Sequence, residues 1–280
     1  MPASPQPANT TPAGDKPGGI LPATELMRAM PGVYAAFLPR VPGESDQARQ
    51  GAVGEALASQ FAQGRGNGPP DHSPPRPHLL HQTHSADIHT PPPNGAGPQF
   101  LPGGRAVPEG DGWLEEAGHG GWLAVKTADC VPLLAVAPDA GLYAALHAGW
   151  RGTALGILPR LLERMPPGGA HIALGPHIRQ CCFQVRQDCL ALFDPAHLEG
   201  NVRPDPEHED AFRLNLEGVL RQQALLAGVP QAQIHSGAHC TDCHRDGQGG
   251  APYASHRRAV RAGGRATTSN LGLIGPASQA

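Results

Sequence analysis

The sequence predicts an α+β fold: a single domain with mixed β-sheets, β-hairpins and flanking helices. Three observations favour this class, namely short apolar runs bounded by turn residues, helical patterns interspersed among them, and no regular βαβ alternation. The 280 residues suffice for one large domain, and neither an internal repeat nor a clean domain boundary is recognisable. We expect a disordered Pro/Gly/Ala-rich tail over residues 1–20 and one domain over residues 21–276.

The first half of the chain contains few elements, separated by stretches rich in proline and glycine. We predict a strand over Val33–Leu38, a helix over Gln50–Gln63 and a further strand within Leu79–His89. Gly64–Pro77 and Pro91–Val107 are typical of loops or insertions.

The patterns become clearer from Gly121 onward. Trp122–Lys126 predicts a strand, and two apolar runs on either side of a Pro-Asp-Ala-Gly turn predict a β-hairpin over Val131–Ala137 and Leu142–Leu146. The remaining predicted elements are helices at Thr153–Met165, Gln187–Phe193 and Phe212–Ala227, and strands at Ala170–Leu174, Cys181–Val185, Ile234–Ser236 and Thr267–Ile274.

Composition excludes several classes of protein. The formal net charge of −3 gives no reason to expect a nucleic acid or an anionic membrane surface as partner. No apolar run reaches the roughly 18 residues of a membrane span, and the N-terminus lacks the apolar segment of a signal peptide. We therefore expect a cytoplasmic protein whose six cysteines are free thiols.

The predicted hairpin places a thiol and an imidazole at its two open ends. Folding the hairpin about its turn brings Cys130 within a residue or two of lying opposite His147. Cross-strand neighbours lie roughly 4.5–5.5 Å apart at Cβ, a distance that a metal ion or a proton transfer can bridge. The sequence therefore predicts a chemical site at this end of the hairpin.

A third group comes from the segment that holds His81, His84 and His89. Together, His84, Cys130 and His147 form a set of two nitrogens and one sulfur, which is typical of catalytic zinc with a fourth position open to water or substrate. The same donors also suit copper, so the set alone does not select the metal.

Several motifs resemble one family. They are Gln-x-His at residues 82–84, Thr-Ala-Asp-Cys at 127–130, His-Ala-Gly-Trp-Arg-Gly at 147–152, Gly-Pro-x-Ile-x-x-Cys-Cys at 175–182, Cys-Thr-x-Cys at 240–243 and Ser-x-Arg-Arg at 255–258. In this order, over about Leu79 to Leu273, they resemble the laccase-domain purine nucleoside phosphorylases, long labelled multicopper polyphenol oxidases.

The resemblance implies an activity and a ligand set. It implies one zinc held by His84, Cys130 and His147, and phosphorolysis of adenosine or inosine to the free base and ribose 1-phosphate. It also implies adenosine deaminase and methylthioadenosine phosphorylase activity in the same site. Purine nucleoside and phosphate are then the expected partners.

Two residues beside the metal motifs are candidates for catalysis. Arg151 precedes a helix predicted to start near Thr153, where free N–H groups and an arginine favour phosphate; the alternative is a solvated surface arginine. Asp129 could orient a ligand histidine or move a proton, and its alternative role is to cap a turn.

Further candidates lie towards the C-terminus. Arg257 is a second, weaker anion-binding candidate, because adjacent arginines on a strand point in opposite directions and at most one faces a pocket. By the same alternation we expect Cys181 or its neighbour to face the substrate. Cys240 and Cys243 resemble half of a zinc site, but we expect no second cysteine pair to complete it and favour a buried, redox-silent pair over a small separate metal site.

Three alternatives to the phosphorylase stay open. A copper polyphenol oxidase needs further histidine clusters, and paired His-x-His motifs are missing from the sequence. A cysteine hydrolase would use Cys130 as nucleophile and His147 as base. The third is a non-catalytic zinc protein that acts as a binding module.

Overall fold

Three β-sheets and seven helices form the described part of the fold. The computed structural model describes residues 20–42, 77–92, 108–119, 121–237 and 239–277. The strands are β1 Leu21–Pro22, β2 Val33–Pro42, β3 Ile88–His89, β4 Gly112–Glu116, β5 Leu123–Thr127, β6 Val131–Ala137, β7 Leu142–Ala148, β8 His171–Leu174, β9 Gln184–Val185, β10 Val202–Pro204, β11 Phe212–Leu214, β12 Ile234–Ser236 and β13 Thr268–Pro276. The helices are α1 Thr24–Ala29, α2 Trp150–Ala154, α3 Ile157–Leu162, α4 Gln187–Leu190, α5 Pro195–Leu198, α6 Leu216–Leu226 and α7 His256–Arg261. The predicted α+β class is confirmed.

The largest sheet is built around the predicted hairpin. Its six strands run in the order β12-β8-β6-β7-β4-β3, with β12/β8 and β3/β4 parallel and the other pairs antiparallel. The hairpin turns through a 3₁₀ segment at Pro138–Ala140 and Gly141 in the left-handed region (φ +63°), a conformation that glycine adopts without steric cost. Val131 pairs with Ala148 and Pro132 with His147, so the open end of the hairpin lies beside both candidate ligands.

The six-stranded sheet is buried on both faces, which explains the continuous apolar runs of β6 and β7. Along β6, Leu133 and Ala135 pack into a core shared with α3 and α6. Leu134 and Val136 point the other way, into a core shared with the second sheet. Alternate residues of one strand therefore join two cores, and this holds the hairpin rigidly between two layers.

The second sheet has four strands in the order β1-β2-β13-β5, all antiparallel. Its inner face packs Phe37, Leu123 and Ile274 against the six-stranded sheet. A third, three-stranded sheet has the order β10-β11-β9. Because β5 runs directly into residues 128–130, the second sheet positions the chain as it enters the site.

Two predicted helices are shorter in the structure than in the sequence-based prediction. The helix expected over Thr153–Met165 is two helices, α2 and α3, separated by Gly156 in the left-handed region (φ +79°). The helix expected from Phe212 begins instead at Leu216, because Asn215 accepts a hydrogen bond from the Gly218 N–H and ends strand β11.

Two predicted strands are much shorter in the structure, and one placement is wrong. The strand expected within Leu79–His89 is reduced to β3, and the strand expected over Cys181–Val185 is reduced to β9. Arg257 lies on helix α7 and not on a strand, because Ser255 caps the helix by accepting from the Arg258 N–H. The other predicted strands of the second half are present, and the helix expected at Gln187–Phe193 is shortened to α4.

Some expectations fall outside the described residues. They are the tail up to residue 19, the helix at Gln50–Gln63 and most of the two Pro/Gly-rich stretches. The division into a tail and one domain remains a prediction. Among the described helices, none has both the length and the hydropathy that crossing a bilayer requires.

The break at Gly156 yields a stability prediction. A Cβ at Gly156 would meet only Pro159, at 3.9 Å, so Gly156→Ala should destabilise through backbone strain alone, by about 1 kcal/mol. Gly168→Ala is the matched control, because Gly168 lacks a positive φ and has open space around it. Urea unfolding of both variants measures the difference; equal midpoints would contradict a strained joint between α2 and α3.

Candidate metal centre

The structure brings together the three side chains expected to bind metal. The ligand atoms of His84, Cys130 and His147 all lie within 4.8 Å of one another. Cys130 Sγ is 3.8 Å from His84 Nε2, and the two imidazole rings meet edge to face with centroids 4.8 Å apart. The juxtaposition predicted for Cys130 and His147 is confirmed, since the strand register continues from Val131 opposite Ala148.

Asp111 is the residue on which this arrangement depends. Its carboxylate is completely buried, and its Oδ1 lies 2.7 Å from His147 Nδ1. Because a carboxylate only accepts, Nδ1 carries the proton and Nε2 of the neutral ring is left free for a metal. The same carboxylate accepts the backbone N–H groups of Thr83, His84 and Ser85 at 3.2, 3.1 and 2.6 Å. One acid therefore positions two of the three candidate ligands.

Sequence reasoning missed Asp111, although a signal was present. Gly110 and Gly112 flank it, and a Cβ at these positions would lie 2.7 Å from the His89 ring and 2.5 Å from the Leu146 side chain. An acidic residue between two glycines at the start of a buried strand is typical of a place where backbone and carboxylate approach other groups closely.

The segment that carries His84 is held by side chains in place of strand pairing. Gln82 binds the backbone of Lys126 through both ends of its amide, at 2.7 and 2.8 Å, and so attaches the segment to β5. His84 itself has a left-handed backbone (φ +62°). The three hydrogen bonds to Asp111 stabilise this uncommon conformation, which explains why no strand continues through His84.

Two glycines of the His-Ala-Gly-Trp-Arg-Gly motif provide room for the centre. A Cβ at Gly149 would lie 2.9 Å from His84 Cδ2 and 3.0 Å from Cys130 Sγ. A Cβ at Gly152 would lie 2.6 Å from the carbonyl oxygen of Ser85. Helix α2 can therefore start directly against the three ligands only because these positions lack side chains.

The three residues fit a tetrahedral zinc. Zinc binds imidazole nitrogen at about 2.0–2.1 Å and thiolate at about 2.3 Å, so a nitrogen and a sulfur ligand of a tetrahedral zinc lie roughly 3.5 Å apart. The 3.8 Å between Cys130 Sγ and His84 Nε2 is close to this separation, and all three ligand atoms lie within 4.8 Å of one another. Three protein ligands leave one position for water or substrate.

The electrostatics favour the ligand form of the thiol. Burial by itself raises the pKa of Cys130, but the adjacent His147 and His84 outweigh it and lower that pKa below its ordinary value. Burial likewise lowers the pKa of His147, yet Cys130 and Asp111 outweigh burial and raise it. The metal-free pair therefore favours a thiolate beside an imidazolium, and the thiolate is the form that binds metal.

Asp129, predicted as catalytic, lies next to Cys130 but its carboxylate has other partners. Oδ1 accepts from Thr241 Oγ1 at 2.6 Å and Oδ2 from the Arg257 N–H at 2.7 Å, in the first turn of α7. Its backbone is left-handed (φ +93°), and its carbonyl accepts from Ile178 N–H at 2.9 Å. Of the two carboxylates near the centre, Asp111 orients a ligand histidine and Asp129 joins the surrounding loops.

The two predicted anion-binding arginines lie on helix starts. Arg151 is exposed in the first turn of α2, four residues after His147, with its guanidinium 4.2 Å above the Trp150 ring. Arg151 lies within helix α2, whereas the sequence predicted a helix that begins after Arg151. Arg257 donates its N–H to Asp129 and one guanidinium N–H to the carbonyl of Gln184 at 2.9 Å.

Cys181 lies in a turn beside Cys182, and two further cysteines from a distant loop approach this pair. The Cys181 sulfur is 3.6 Å from Cys243, and the thiols of Cys181, Cys182, Cys240 and Cys243 all lie within 4.8 Å of one another. The expectation that no second pair accompanies Cys240 and Cys243 is therefore wrong. The two pairs are about sixty residues apart in the sequence, and only the fold brings them together.

Comparison with protein families gives a match over most of the chain. The model of the family described as multi-copper polyphenol oxidoreductase laccase matches residues 71–271. The chain belongs to this family. The resemblance stated from the motifs is thereby confirmed.

Curated proteins with similar sequences are named purine nucleoside phosphorylase and adenosine deaminase, and not oxidase. The chain is 37% identical over 187 residues to purine nucleoside phosphorylase YlmD of Geobacillus stearothermophilus, a match covering 63% of this chain and 65% of that protein. It is 38% identical over 128 residues to adenosine deaminase RL5 from an unknown prokaryote, covering 43% and 48%. The chain thus spans about half to two-thirds of the length of these curated relatives.

The fold agrees with these sequence matches. The crystal structure of YlmD from Geobacillus stearothermophilus superposes with a TM-score of 0.66 at 28% identity, over 89% of this chain and 93% of that chain. Metal identity and substrate are properties of the site and do not follow from the fold.

The bond between Thr241 and Asp129 yields a second prediction. Thr241→Val keeps the shape of the buried side chain but leaves Asp129 Oδ1 without this donor, so we expect a loss of about 1–3 kcal/mol of unfolding free energy. Thr241→Ser, which keeps the hydroxyl, should recover most of it. Chemical denaturation measures both variants, and a valine variant as stable as the wild type would contradict a structural role for this bond.

Proposed function

We propose that the chain is a zinc-dependent purine nucleoside phosphorylase that cleaves adenosine or inosine with phosphate. The proposal rests on the convergence of His84, Cys130 and His147, with His147 oriented by the buried Asp111. These three ligands would leave the fourth position of a tetrahedral zinc open to water or substrate. The relative named purine nucleoside phosphorylase supports the choice of substrate. Cytoplasmic location and the lack of nucleic-acid and membrane partners remain expectations from composition.

Zinc is favoured over copper by the donor groups. Among the described residues, three groups could hold a metal: the His84 set, the four cysteines, and Asp205 with Glu207 and His208. Multicopper oxidation needs several histidine-rich centres near one another, and within the described ranges only the His84 set contains more than one histidine. We therefore propose one redox-inert zinc at this centre in place of the copper in the family's description.

Phosphorolysis requires phosphate to approach the anomeric carbon of the nucleoside as the bond to the purine nitrogen breaks. We assign phosphate binding to Arg151, whose exposed guanidinium is free to form bidentate hydrogen bonds on the helix that follows His147. Arg257 is the second candidate, since Gln184 occupies only part of its guanidinium. A phosphate oxygen forms the new bond to the anomeric carbon, and the bonding pair leaves with the base.

The departing base needs a proton or an equivalent positive charge. When bound, zinc supplies Lewis-acid chemistry at neutral pH. Asp111 keeps the proton on His147 Nδ1, so that His147 presents only Nε2 to the centre. We assign Asp129 a positioning role, because it fixes the start of α7 and the loop at Thr241 beside Cys130.

Adenosine deamination in the same centre is the second candidate activity. The relative named adenosine deaminase RL5 supports it, and methylthioadenosine phosphorolysis would follow from the same phosphate and purine contacts. A cysteine hydrolase through Cys130 is disfavoured, because the thiol lies between two imidazoles and is available as an acyl nucleophile only when no metal is bound.

Activity assays test the proposal directly. Incubation with adenosine and phosphate should yield adenine and ribose 1-phosphate, and His84→Ala should lower the rate about 100-fold or more through loss of a metal ligand. His81→Ala is the matched control, since His81 is exposed three residues earlier and should retain wild-type rates. Chromatography of the products with and without phosphate separates phosphorolysis from deamination.

The outcomes that reject the proposal are specific. Formation of inosine alone, independent of phosphate, would leave only the deaminase. Oxygen uptake with stoichiometric copper would restore the oxidase. An unchanged rate in His84→Ala would remove the metal centre from the reaction.

Asp111 provides a prediction for metal affinity. In Asp111→Asn, one amide oxygen replaces two carboxylate oxygens that accept from six donors, so His147 loses its orientation and the metal affinity should fall about 10–100-fold. Competition with a chromogenic chelator measures this affinity. Asp139→Asn, at an exposed turn of the hairpin, is the control, and equal affinities in the two variants would contradict the role given to Asp111.

A further inference from the structure

The four-cysteine cluster, consisting of Cys181, Cys182, Cys240 and Cys243, is separate from the His84 centre. Its sulfurs come from two loops, one after β8 and one after β12, and all lie within 4.8 Å of one another. Cys181 and Cys243 are exposed, while Cys240 is buried. The cluster therefore lies at the surface with one side anchored in the core.

We propose that the four-cysteine cluster binds a second zinc ion as a closed structural site. In a zinc tetrathiolate with Zn–S bonds of about 2.3 Å, neighbouring sulfurs are roughly 3.8 Å apart. The 3.6 Å between Cys181 and Cys243 agrees with this spacing. With four protein ligands no position is left for water or substrate, so the ion holds structure and takes no part in the chemistry.

A backbone donor at the cluster supports a bound thiolate. The Arg179 N–H points at Cys240 Sγ at 3.5 Å. Such a donor stabilises a charged sulfur more strongly than a neutral thiol, whose sulfur is only a weak acceptor.

The charges near the cluster match those of a zinc tetrathiolate, which is negative overall. Arg213 donates to the carbonyl of Cys181 at 2.9 Å, and Arg258 donates to the carbonyls of Thr241 and Asp242 at 2.6 and 3.0 Å. Each cysteine loop therefore carries a guanidinium on its backbone. Arg213 is also paired with the buried Asp205 carboxylate, so Arg258 is the cation that offsets part of the negative charge, while both guanidinium groups fix the loops in position.

A disulfide accounts for this arrangement less well than a metal. One disulfide would engage two sulfurs, such as those of Cys181 and Cys243 at 3.6 Å, yet the sulfurs of Cys182 and Cys240 converge on the same point. Convergence of all four sulfurs from two loops is explained by a common ligand. The site is independent of the proposed phosphorylase activity, because none of its ligands belongs to the His84 centre.

The proposed ion joins two loops that both contact Asp129. Ile178, three residues before Cys181, donates its N–H to the Asp129 carbonyl. Thr241, between the two later cysteines, donates its hydroxyl to the carboxylate. The second zinc would therefore position the residue next to Cys130 without touching substrate.

Metal analysis of the intact protein tests the proposal. After purification without added metal, the wild type should contain about two zinc ions per chain, whereas Cys243→Ser and His84→Ala should each contain about one. Cys189→Ala is the matched control, because Cys189 is buried in the core outside the cluster, and it should keep two.

X-ray absorption of His84→Ala distinguishes the two sites even if the serine variant does not fold. The remaining zinc should show sulfur neighbours only, at about 2.3 Å. Nitrogen neighbours, or a His84→Ala protein free of zinc, would overturn the proposal. Titration of unfolded, unreduced protein with a thiol reagent and a chelator should find all six cysteines, and a deficit of two would assign the cluster to a disulfide instead.

Discussion

The buried carboxylate of Asp111 is the interaction on which the centre depends. An ionised group without solvent exposure is costly unless every oxygen is paired, and here six donors from two segments satisfy the carboxylate. Burial raises the pKa of Asp111, but its hydrogen bonds to His147 and Ser85 outweigh burial and lower that pKa to about 2. The charge therefore persists at neutral pH, and with it the shape of the loop that carries His84.

The two-layer burial of the hairpin supplies the rigidity that this carboxylate requires. β6 and β7 pack alternately into two cores, so close packing on both faces of the hairpin fixes the positions of Cys130 and His147 at its open end. Cys130 directly precedes β6, and His147 is the second-last residue of β7, so both candidate ligands lie at the end of a rigid hairpin. Catalytic and metal-binding side chains gain most from such support, because small displacements are costly there.

The sequence predicted what depends on local pattern and missed what depends on tertiary contacts. The hairpin, its turn and the convergence of Cys130 with His147 follow from alternation and turn residues, and the structure has them. Gly156 divides one predicted helix in two, and Asn215 starts another later than periodicity indicated, because one left-handed residue or one cap outweighs an apolar stripe. Asp111 and the pairing of distant cysteines were missed, since no spacing along the chain records that two loops meet. Asp129 was expected to orient a ligand histidine or to move a proton. Its carboxylate instead contacts the loop at Thr241 and the start of α7.

Asp129 connects the two centres. A non-glycine residue at φ +93° persists only where its surroundings determine it, and its contacts come from three separate places: Ile178, Thr241 and the start of α7. Two of these lie on the loops that the four-cysteine cluster joins. The direction in which the chain enters Cys130 therefore depends on a geometry set outside the His84 centre. A metal in the cluster would act on the reaction through the shape of this connection, in the way that a disulfide or a core residue does, and not through electrons or protons. Loss of that metal should then disturb the first centre by loosening Asp129.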